Sequence, residues 1–512
     1  MTEKYLYKPI NKKENDFVVW MGFPGIYSFA MSSLGFLWMF KVLDECEDIS
    51  AERICSDTKN TYYKASDVDA FGFSFSFDMD FLEIFSILEK YNIPLKSVDR
   101  DENYPLIFAG GPVVTANPEP YKNFFDFFII GDGEDANINA VMTCKENKEK
   151  KKDEILKLLS NVDGVYVPKY PKTVKKVTKR LSECIYTPIL SDEAFFKNTF
   201  IIEAERGCAN RCGFCLASYL NLPLRSVPED TLINAINLGL ANTNKIALLG
   251  AEVSAHPKFH EICNYISKKI ENGQNIEMNF SSLRVDAITP DVIKTLKLSG
   301  QNNLTLAIEA GSERLRRVIN KNLPEEKIYN AVKIVKDNGL KGIKFYGMFG
   351  IPTETKEDLD AIINLTKKLK NDNKGLDISF GFSSFVPKPH TPFQWFGREN
   401  TKSLEKKSEY LQKEMHKIGV QISVSSIKWD YWQAVLSRGD ESLTDFLVEV
   451  HKQGGKLGAF KSAAKKFGID TDYFAYENYN FDKIFAWDFI EIQPTKDFLI
   501  SENKRLISYS GL

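Results

Sequence analysis

Between residues 16 and 145, short apolar runs alternate with segments of helical periodicity. Phe17–Met21, Phe71–Phe77, Leu106–Ala109 and Phe125–Ile130 are nearly continuous apolar stretches. That is the pattern of strands covered on both faces of a parallel sheet. Phe81–Tyr91 carries helical spacing between two of them. Three runs end in Gly- or Pro-rich turns: Gly22–Gly25, Gly110–Pro112 and Gly131–Gly133. A tight turn uses Gly with or without a ligand. Three such turns after three strands predict more, because open α/β sheets bind ligands at the carboxyl ends of their strands. A doubly wound domain over residues 1–165 is expected, with Gly110, Gly111, Gly131, Asp132 and Gly133 at its crevice.

Residues 146–154 form a mixed charge run, read as a solvated helix or loop. Residues 166–195 read as a linker. From Thr199 the alternation resumes, with strands expected at Phe200–Ala204, Lys245–Leu249, Glu277–Ser281, Asn303–Ile308, Gly342–Met348 and Asp377–Ser383. Helix starts are marked by Ser226-x-x-Glu229 as a capping box. Thr289-Pro290 and Leu323-Pro324 place Pro near a first turn, and Thr355 is placed to cap. Six βα units over residues 196–400 predict a (βα)6 partial barrel, with its site again at the strand carboxyl ends. Beyond residue 400 the pattern turns helical at Lys402–Ile418, Asp440–Gln453 and Ala459–Phe467. Residues 401–512 are therefore expected to form an α-rich cap on the barrel, with Trp429–Trp432 packed inside it. The apolar stretch Phe29–Val42 is broken by Ser32, Ser33 and Lys41 and predicts a buried helix. No run approaches the roughly 20 apolar residues of a membrane span.

With 512 residues, 43% hydrophobic and 27% charged, the chain has ample core for several domains. Its net charge of −2 makes no electrostatic case for a nucleic-acid partner. The polar start Met-Thr-Glu-Lys-Tyr carries no signal-peptide core. Cys46, Cys55, Cys144, Cys184 and Cys263 are scattered and read as reduced thiols. A cytoplasmic location is expected.

The other three cysteines, Cys208, Cys212 and Cys215, fall within eight residues directly after the first barrel strand. A 4Fe–4S cluster normally takes four thiolates. A local set of three leaves one iron open to a small molecule. Three thiolates with a distant fourth ligand also describe a structural zinc site. Zinc motifs favour paired C-x2-C units, however, and no second pair occurs in the chain. Farther on, the Pro-rich segment Phe385–Trp395 ends the sixth strand. It is expected to hold Lys388 and His390 at the barrel mouth, with His390 as a proton carrier.

The run Cys-x3-Cys-x2-Cys, with Phe214 before the last Cys, resembles the signature of the radical S-adenosylmethionine (SAM) superfamily. The resemblance implies a 4Fe–4S cluster on Cys208, Cys212 and Cys215. Its open iron would chelate SAM, and one electron would cleave SAM to a 5′-deoxyadenosyl radical. It also implies SAM contacts at further strand ends. Gly250-Ala251-Glu252 resembles the family's GGE motif for the SAM amine, with Ala251 at the middle Gly. Glu309 and Ser312 resemble the ribose segment, and Gly350 and Pro352 the adenine turn. Arg284 and Arg316 are candidates for the carboxylate, since Arg forks match it.

The whole chain is similar to a narrower group whose N-terminal domain is a flavodoxin-like cobalamin-binding domain. That likeness rests on Ser74 and Ser76, Pro105–Pro112, Asn117–Pro120 and Ile130–Glu134, and includes Glu134. It implies cobalamin as a third cofactor and methyl transfer to an unactivated carbon. Flavodoxin or ferredoxin would be the electron donor, and a peptide or small molecule the acceptor. One departure concerns the cobalt. The first of 5 histidines is His256, so the N-terminal domain cannot supply the imidazole of the usual D-x-H-x-x-G motif. Rival readings are a cyclase or rearrangement enzyme, and a non-catalytic iron–sulfur or corrinoid sensor. A methylthiotransferase or another RNA-modifying enzyme has less support.

Overall fold

The computed structural model describes residues 3–10, 16–281 and 283–511. Its N-terminal sheet runs in the order Ile49–Cys55, Phe17–Phe23, Ala70–Ser74, Leu106–Gly110 and Phe127–Ile129, all parallel. Val165–Tyr166 closes it as an antiparallel edge. This is the 2-1-3-4-5 order of a doubly wound sheet, with its switch point between Phe17–Phe23 and Ala70–Ser74. Strand Ile49–Cys55 was not among the expected strands. It is half-polar, with Glu52 and Arg53 in its middle, as suits an edge position. Phe36, Leu37, Phe40, Ala136, Ala140 and Val141 cover one face of the sheet. Phe81, Ile84, Phe85 and Leu88 cover the other. Two glycines allow the aromatic packing. The Phe73 ring lies across Gly22 and the Phe108 ring across Gly72, each where a Cβ would intrude within 2.5 Å.

The barrel strands fall at Thr199–Glu203, Lys245–Leu249, Glu277–Phe280, Asn303–Glu309, Gly342–Phe349 and Asp377–Ser384. Neighbours are parallel, and a single bridge, Leu283 to Leu306, joins the two halves. A seventh parallel strand, Gln421–Val424, extends the sheet beside Asp377–Ser384. Six strands were expected, because this short strand follows a long helix that masks it. Thr355 forms a capping box with Asp358, and Thr289 accepts from the Val292 N–H. The expected box at Ser226 does not form. Ser226 pairs with Glu205 in a two-residue antiparallel ladder, and helix Glu229–Leu240 starts after Pro228.

The stretch Phe29–Val42 is divided between helices Tyr27–Ala30 and Leu34–Asp44. Residues 166–195 are not a free linker. Val174–Lys175 pairs with Ile490–Glu491, and Ile189–Ser191 pairs with Glu3–Tyr5. The C-terminal region is rich in helix, but it does not simply cap the barrel. Trp432, Phe446 and Phe460 share one core with Phe81, Phe85 and Phe124 of the N-terminal domain. The ring centroids of Phe81 and Phe460 lie 6.2 Å apart.

A buried polar tie reinforces that contact. Asp78 accepts from Lys388 Nζ at 2.8 Å and from Ser437 Oγ at 2.9 Å, and Lys388 also donates to Ser437 at 2.7 Å. Lys388 is thus held away from the barrel mouth, contrary to expectation. Breaking a buried pair leaves one charge without its partner. Asp78→Ala is expected to cost about 3–5 kcal/mol, read as a fall in thermal unfolding midpoint. Asp78→Ala with Lys388→Met should recover part of that loss.

Candidate active site

The first barrel strand leads into Glu205–Arg206, then Gly207, where the backbone turns with φ of +89°. A Cβ there would lie 2.6 Å from the Asn221 carbonyl, so this turn requires Gly. The thiol loop that follows is held from outside. Asn320 Nδ2 donates to the carbonyls of Asn210 and Arg211 at 2.9 and 3.0 Å. Tyr219 donates to the Arg211 carbonyl at 2.8 Å. The Gly213 N–H donates to Ile319 and the Phe393 N–H to Gly213, at 3.0 and 3.1 Å. Phe214 packs beside Phe385 and Phe393 at the base of the loop.

Cys208 and Cys212 are buried and Cys215 is half-buried. Burial pushes the Cys212 thiol up to about 12, with the neighbouring charges of Cys215, Glu309 and Cys208 adding to it. Cys215 is raised for the same first reason. The space around Cys212 and Cys215 therefore disfavours bare thiolates. A cationic metal core is what would hold them ionised together. Among the described residues, no three Cys, His, Asp or Glu side chains converge on a point as they would around a single ion. A cubane cluster instead places each thiolate on its own iron. The donor set fits such a cluster, and among the described residues no fourth ligand of a structural zinc site joins it.

Further side chains gather around the thiols. Asn210 donates from its N–H and from Nδ2 to Cys208 Sγ at 3.5 and 3.3 Å, and from Nδ2 to Glu252 at 2.6 Å. Ser254 donates to the other Glu252 oxygen at 2.6 Å and accepts the Arg284 N–H at 3.0 Å. The Glu252 N–H donates to Glu205 Oε1 at 3.2 Å. Glu205 Oε2 is buried without a partner among the described residues. Burial first, then the charge of Glu252, pushes the Glu205 carboxyl up to about 8. It is thus protonated at neutral pH. Gly250 lies over this side chain, where a Cβ would meet Glu205 Cγ at 2.6 Å. Glu309 turns inward at a bulge with φ of +63° and pairs with Lys321 at 3.4 Å.

Other expected contacts are already committed within the protein. Arg284 forks onto Asp286 at 2.8 and 3.0 Å. Arg316 is 0% exposed and donates to the carbonyls of Leu323, Ala310 and Gly311 at 2.6, 3.0 and 2.7 Å. Through these it fastens the loop after the fourth strand, while its Nη2 is buried without a partner among the described residues. Ser312 caps helix Glu313–Val318 and donates to Asp358. The Gly350 N–H donates to Glu354 at 2.9 Å, in a turn where Pro352 is half-buried. Ala251 is exposed at the mouth. His390 is not held open at the mouth, as was expected of a proton carrier. Its ring is buried against Trp487, with Nε2 3.0 Å from the Ala116 carbonyl. Burial pulls its pKa down to about 4.

At the carboxyl ends of the N-terminal sheet lies a cavity of about 430 Å³. Ser74, Ser76, Gly110, Gly111, Gly131, Asp132, Gly133 and Glu134 all line it, as expected. Glu203, Arg206, Leu220, Asn221 and Leu249 of the barrel form its opposite wall. Met21, Phe36, Trp38, Met39 and Phe108 make much of it apolar, and no histidine reaches it. Two of its glycines serve the backbone itself. Gly111 and Gly131 have φ of +123° and +106°, and a Cβ on either would strike a carbonyl.

Asp132 and Glu134 face a cation absent from the expected site. Arg206 Nη1 meets Asp132 at 2.9 Å, and Nη2 meets Glu134 and Glu203, each at 2.7 Å. Arg225 also pairs with Asp132. Burial works to raise the Asp132 carboxyl, but Arg206 and Arg225 more than offset this and hold it below the usual range. Arg206, Arg225, Asn210, Glu205 and Lys321 were all missed from sequence. Only Asn210, inside the cysteine motif, and Glu205 and Arg206, just before it, had a local signal.

The site is thus a thiol-rich loop at a barrel mouth, preceded by Arg206, which lines a ligand-sized cavity at the strand ends of a doubly wound domain. The model of the radical SAM superfamily matches residues 202–366, and the model of radical SAM proteins, N-terminal, matches residues 38–168. An uncharacterised protein of Methanocaldococcus jannaschii is 33% identical over 393 residues, covering 75% of this chain and 81% of its own. An uncharacterised methyltransferase of Pyrococcus horikoshii is 25% identical over 311 residues, 56% of this chain and 63% of its own. The chain belongs to the radical SAM superfamily.

The fold is shared with two solved structures. The radical SAM methyltransferase TsrM from Kitasatospora setae, with cobalamin and a 4Fe–4S cluster bound, has a TM-score of 0.56 at 11% identity. It covers 88% of this chain and 98% of its own. The cobalamin-dependent radical SAM enzyme OxsB, with aqua-cobalamin bound, has a TM-score of 0.54 at 13% identity, covering 97% and 76%.

Two outcomes follow from the geometry. His390 is neutral when buried, and its folded pKa of about 4 lies below the ordinary 6.5. The stability it contributes is full above pH 6.5 and falls away as pH drops toward 4, by about 3 kcal/mol in all. A His390→Gln variant should show a flatter loss of unfolding midpoint across that window. Arg206→Met leaves Asp132, Glu134 and Glu203 without their shared cation. It should cost about 3–5 kcal/mol and speed hydrogen exchange in the loops after Ile129 and Glu203. Arg206→Lys should rescue little, because an ammonium cannot fork to three carboxylates.

Proposed function

We propose that the chain is a radical SAM enzyme that carries a 4Fe–4S cluster on Cys208, Cys212 and Cys215. It holds cobalamin in the cavity between its domains and transfers a methyl group to an unactivated carbon. The observation that carries this reading is that Arg206, which lines the cavity, stands two residues before Cys208. When bound, these groups would supply the electron that cleaves SAM to a 5′-deoxyadenosyl radical and the cobalt that carries the methyl group.

The chain's own residues position the reactants. Glu252, oriented by Asn210 and Ser254, presents carboxylate oxygens beside Cys208 for the SAM amine. Protonated Glu205 supports the 250–252 turn from below through the Glu252 N–H. Glu309 and Lys321 line the opposite side of the thiols. The apolar cavity wall excludes water from one face of a planar ligand. Because no imidazole reaches that wall, bound cobalt would have no histidine from this chain. Flavodoxin or ferredoxin would serve as electron donor, and the acceptor would be a small molecule or peptide. Among the described residues no helix is long and apolar enough to cross a membrane.

A methylthiotransferase reading would need a second cluster on N-terminal cysteines. Cys55 and Cys144 are instead packed in the core, and Cys46 donates to the Val42 carbonyl. The test is anaerobic reconstitution with iron, sulfide and hydroxocobalamin, followed by desalting. The expected result is cluster absorbance, retained cobalamin with a spectrum lacking nitrogen ligation, and 5′-deoxyadenosine on addition of SAM and dithionite. Cys208→Ala, Cys212→Ala and Cys215→Ala should each abolish the cluster and reduce deoxyadenosine at least a hundredfold. A cluster with deoxyadenosine but no retained cobalamin would remove the methyl-transfer reading and leave a radical SAM enzyme.

A further inference from the structure

The inner face of the barrel departs from a filled (βα)8 core, whose lumen is packed with branched apolar side chains. Along Gly342–Phe349 the buried positions Ile343, Phe345 and Phe349 pack outward under the helices. Lys344 and Tyr346 alternate with them and face inward, and Tyr346 remains 47% exposed. The strand register sets a polar row across this face, with Thr305, Lys344, Ser379 and Gln421 side by side on four adjacent strands. The next row toward the mouth is Ala307, Tyr346, Gly381 and Ser423.

The Lys344 side chain leans toward that second row. A Cβ on Gly381 would lie 3.3 Å from Lys344 Cε and 3.1 Å from the Tyr346 ring, so Gly381 makes the space in which both lie. The ammonium sits 5.2 Å from the Tyr346 ring centroid. Among the described residues Lys344 has no ion pair, whereas Lys245 meets Glu277, Lys321 meets Glu309 and Arg284 meets Asp286 on this face or its rim. An ammonium lying on an aromatic face, flanked in register by the hydroxyl residues Thr305 and Ser379, is a receptor for an anion.

We infer that Lys344, with Tyr346, Thr305 and Ser379, binds an anionic group of the acceptor, a carboxylate or a phosphate. This deepens the proposed function and rests on it for the word acceptor. Gly381 and Tyr346 lie three residues below Phe349 at the strand end, about 10 Å at 3.3 Å per residue. The acceptor would then be a molecule whose anionic end sits in the lumen while its reacting carbon lies at the mouth, beside the thiol loop. A flat, wholly apolar acceptor would leave Lys344 uncompensated against it.

The test is calorimetric titration of reconstituted holoenzyme, saturated with SAM so that the SAM carboxylate site is filled. The probes are hexanol, hexanoate and hexyl phosphate. Tighter binding of either anion than of hexanol, by tenfold or more, is expected. Preference for hexanoate would assign a carboxylate, and preference for hexyl phosphate a phosphate. Lys344→Met should abolish the preference and Lys344→Arg should keep most of it, with iron content verifying that each variant holds its cluster. Equal binding of all three probes by the parent protein, or an unchanged preference in Lys344→Met, would overturn the inference. The parent titration decides the matter even if a variant fails to fold. Absence of deoxyadenosine from the parent protein would instead count against the proposed function, a separate result from the anion titration.

Discussion

Arg206 stands at the junction of the two halves of this protein, and its guanidinium is the contact on which the site depends. It reaches Asp132 and Glu134 at the carboxyl end of one sheet and Glu203 at the carboxyl end of the other. Asp132 and Glu134 are buried and Glu203 is half-buried, so each would be costly without the shared cation. The fork is rigid and its donors lie in a plane, which fixes the two sheets at one separation and angle. The cavity is the space left between the sheets once that separation is set. Cys208 follows Arg206 by two residues, so the clamp that orients the domains also anchors the thiol loop.

The same economy of position recurs elsewhere. Asn210 touches Cys208 and Glu252 with one amide nitrogen and receives Asn320 at its carbonyl. Glu205 supports the Glu252 turn while its strand partner Ser226 closes the base of the loop. His390 and Lys388 connect the loop after the sixth barrel strand to Ala116 and Asp78 of the N-terminal domain. Apart from Asn210 to Cys208, none of these contacts is local in sequence. Each uses a polar side chain to fix a relation between elements that hydrophobic packing alone would leave free to slide.

Most strands of both sheets, the half-polar Ile49–Cys55 excepted, were legible because buried parallel strands are written as short apolar runs, and the Thr355 cap because a cap is a local rule. Strand Gln421–Val424 was not, since four half-polar residues carry too little pattern to register. The Ser226 box failed because Ser226 was recruited into pairing with Glu205. His390 and Lys388 were placed at the mouth from their position after a strand. The direction of a loop side chain is set by what lies across from it, which in both cases is another domain. Arg316 is a similar case, since the carbonyls it fastens are exposed by the turn it follows.

The sequence by itself determined the class of chemistry and the two sheets that frame it. Cys-x3-Cys-x2-Cys is a local spacing, and the glycine turns at Gly110–Gly111 and Gly131–Gly133 are local backbone demands. Only the tertiary structure decided what Asp132 and Glu134 do, which helices cover which domain, and which polar side chains are left without partners. Those outcomes depend on long-range pairings such as Arg206 with Glu134 and Lys388 with Asp78. The free energy of such a pair comes from burial and from partners far along the chain, and no window of sequence contains both.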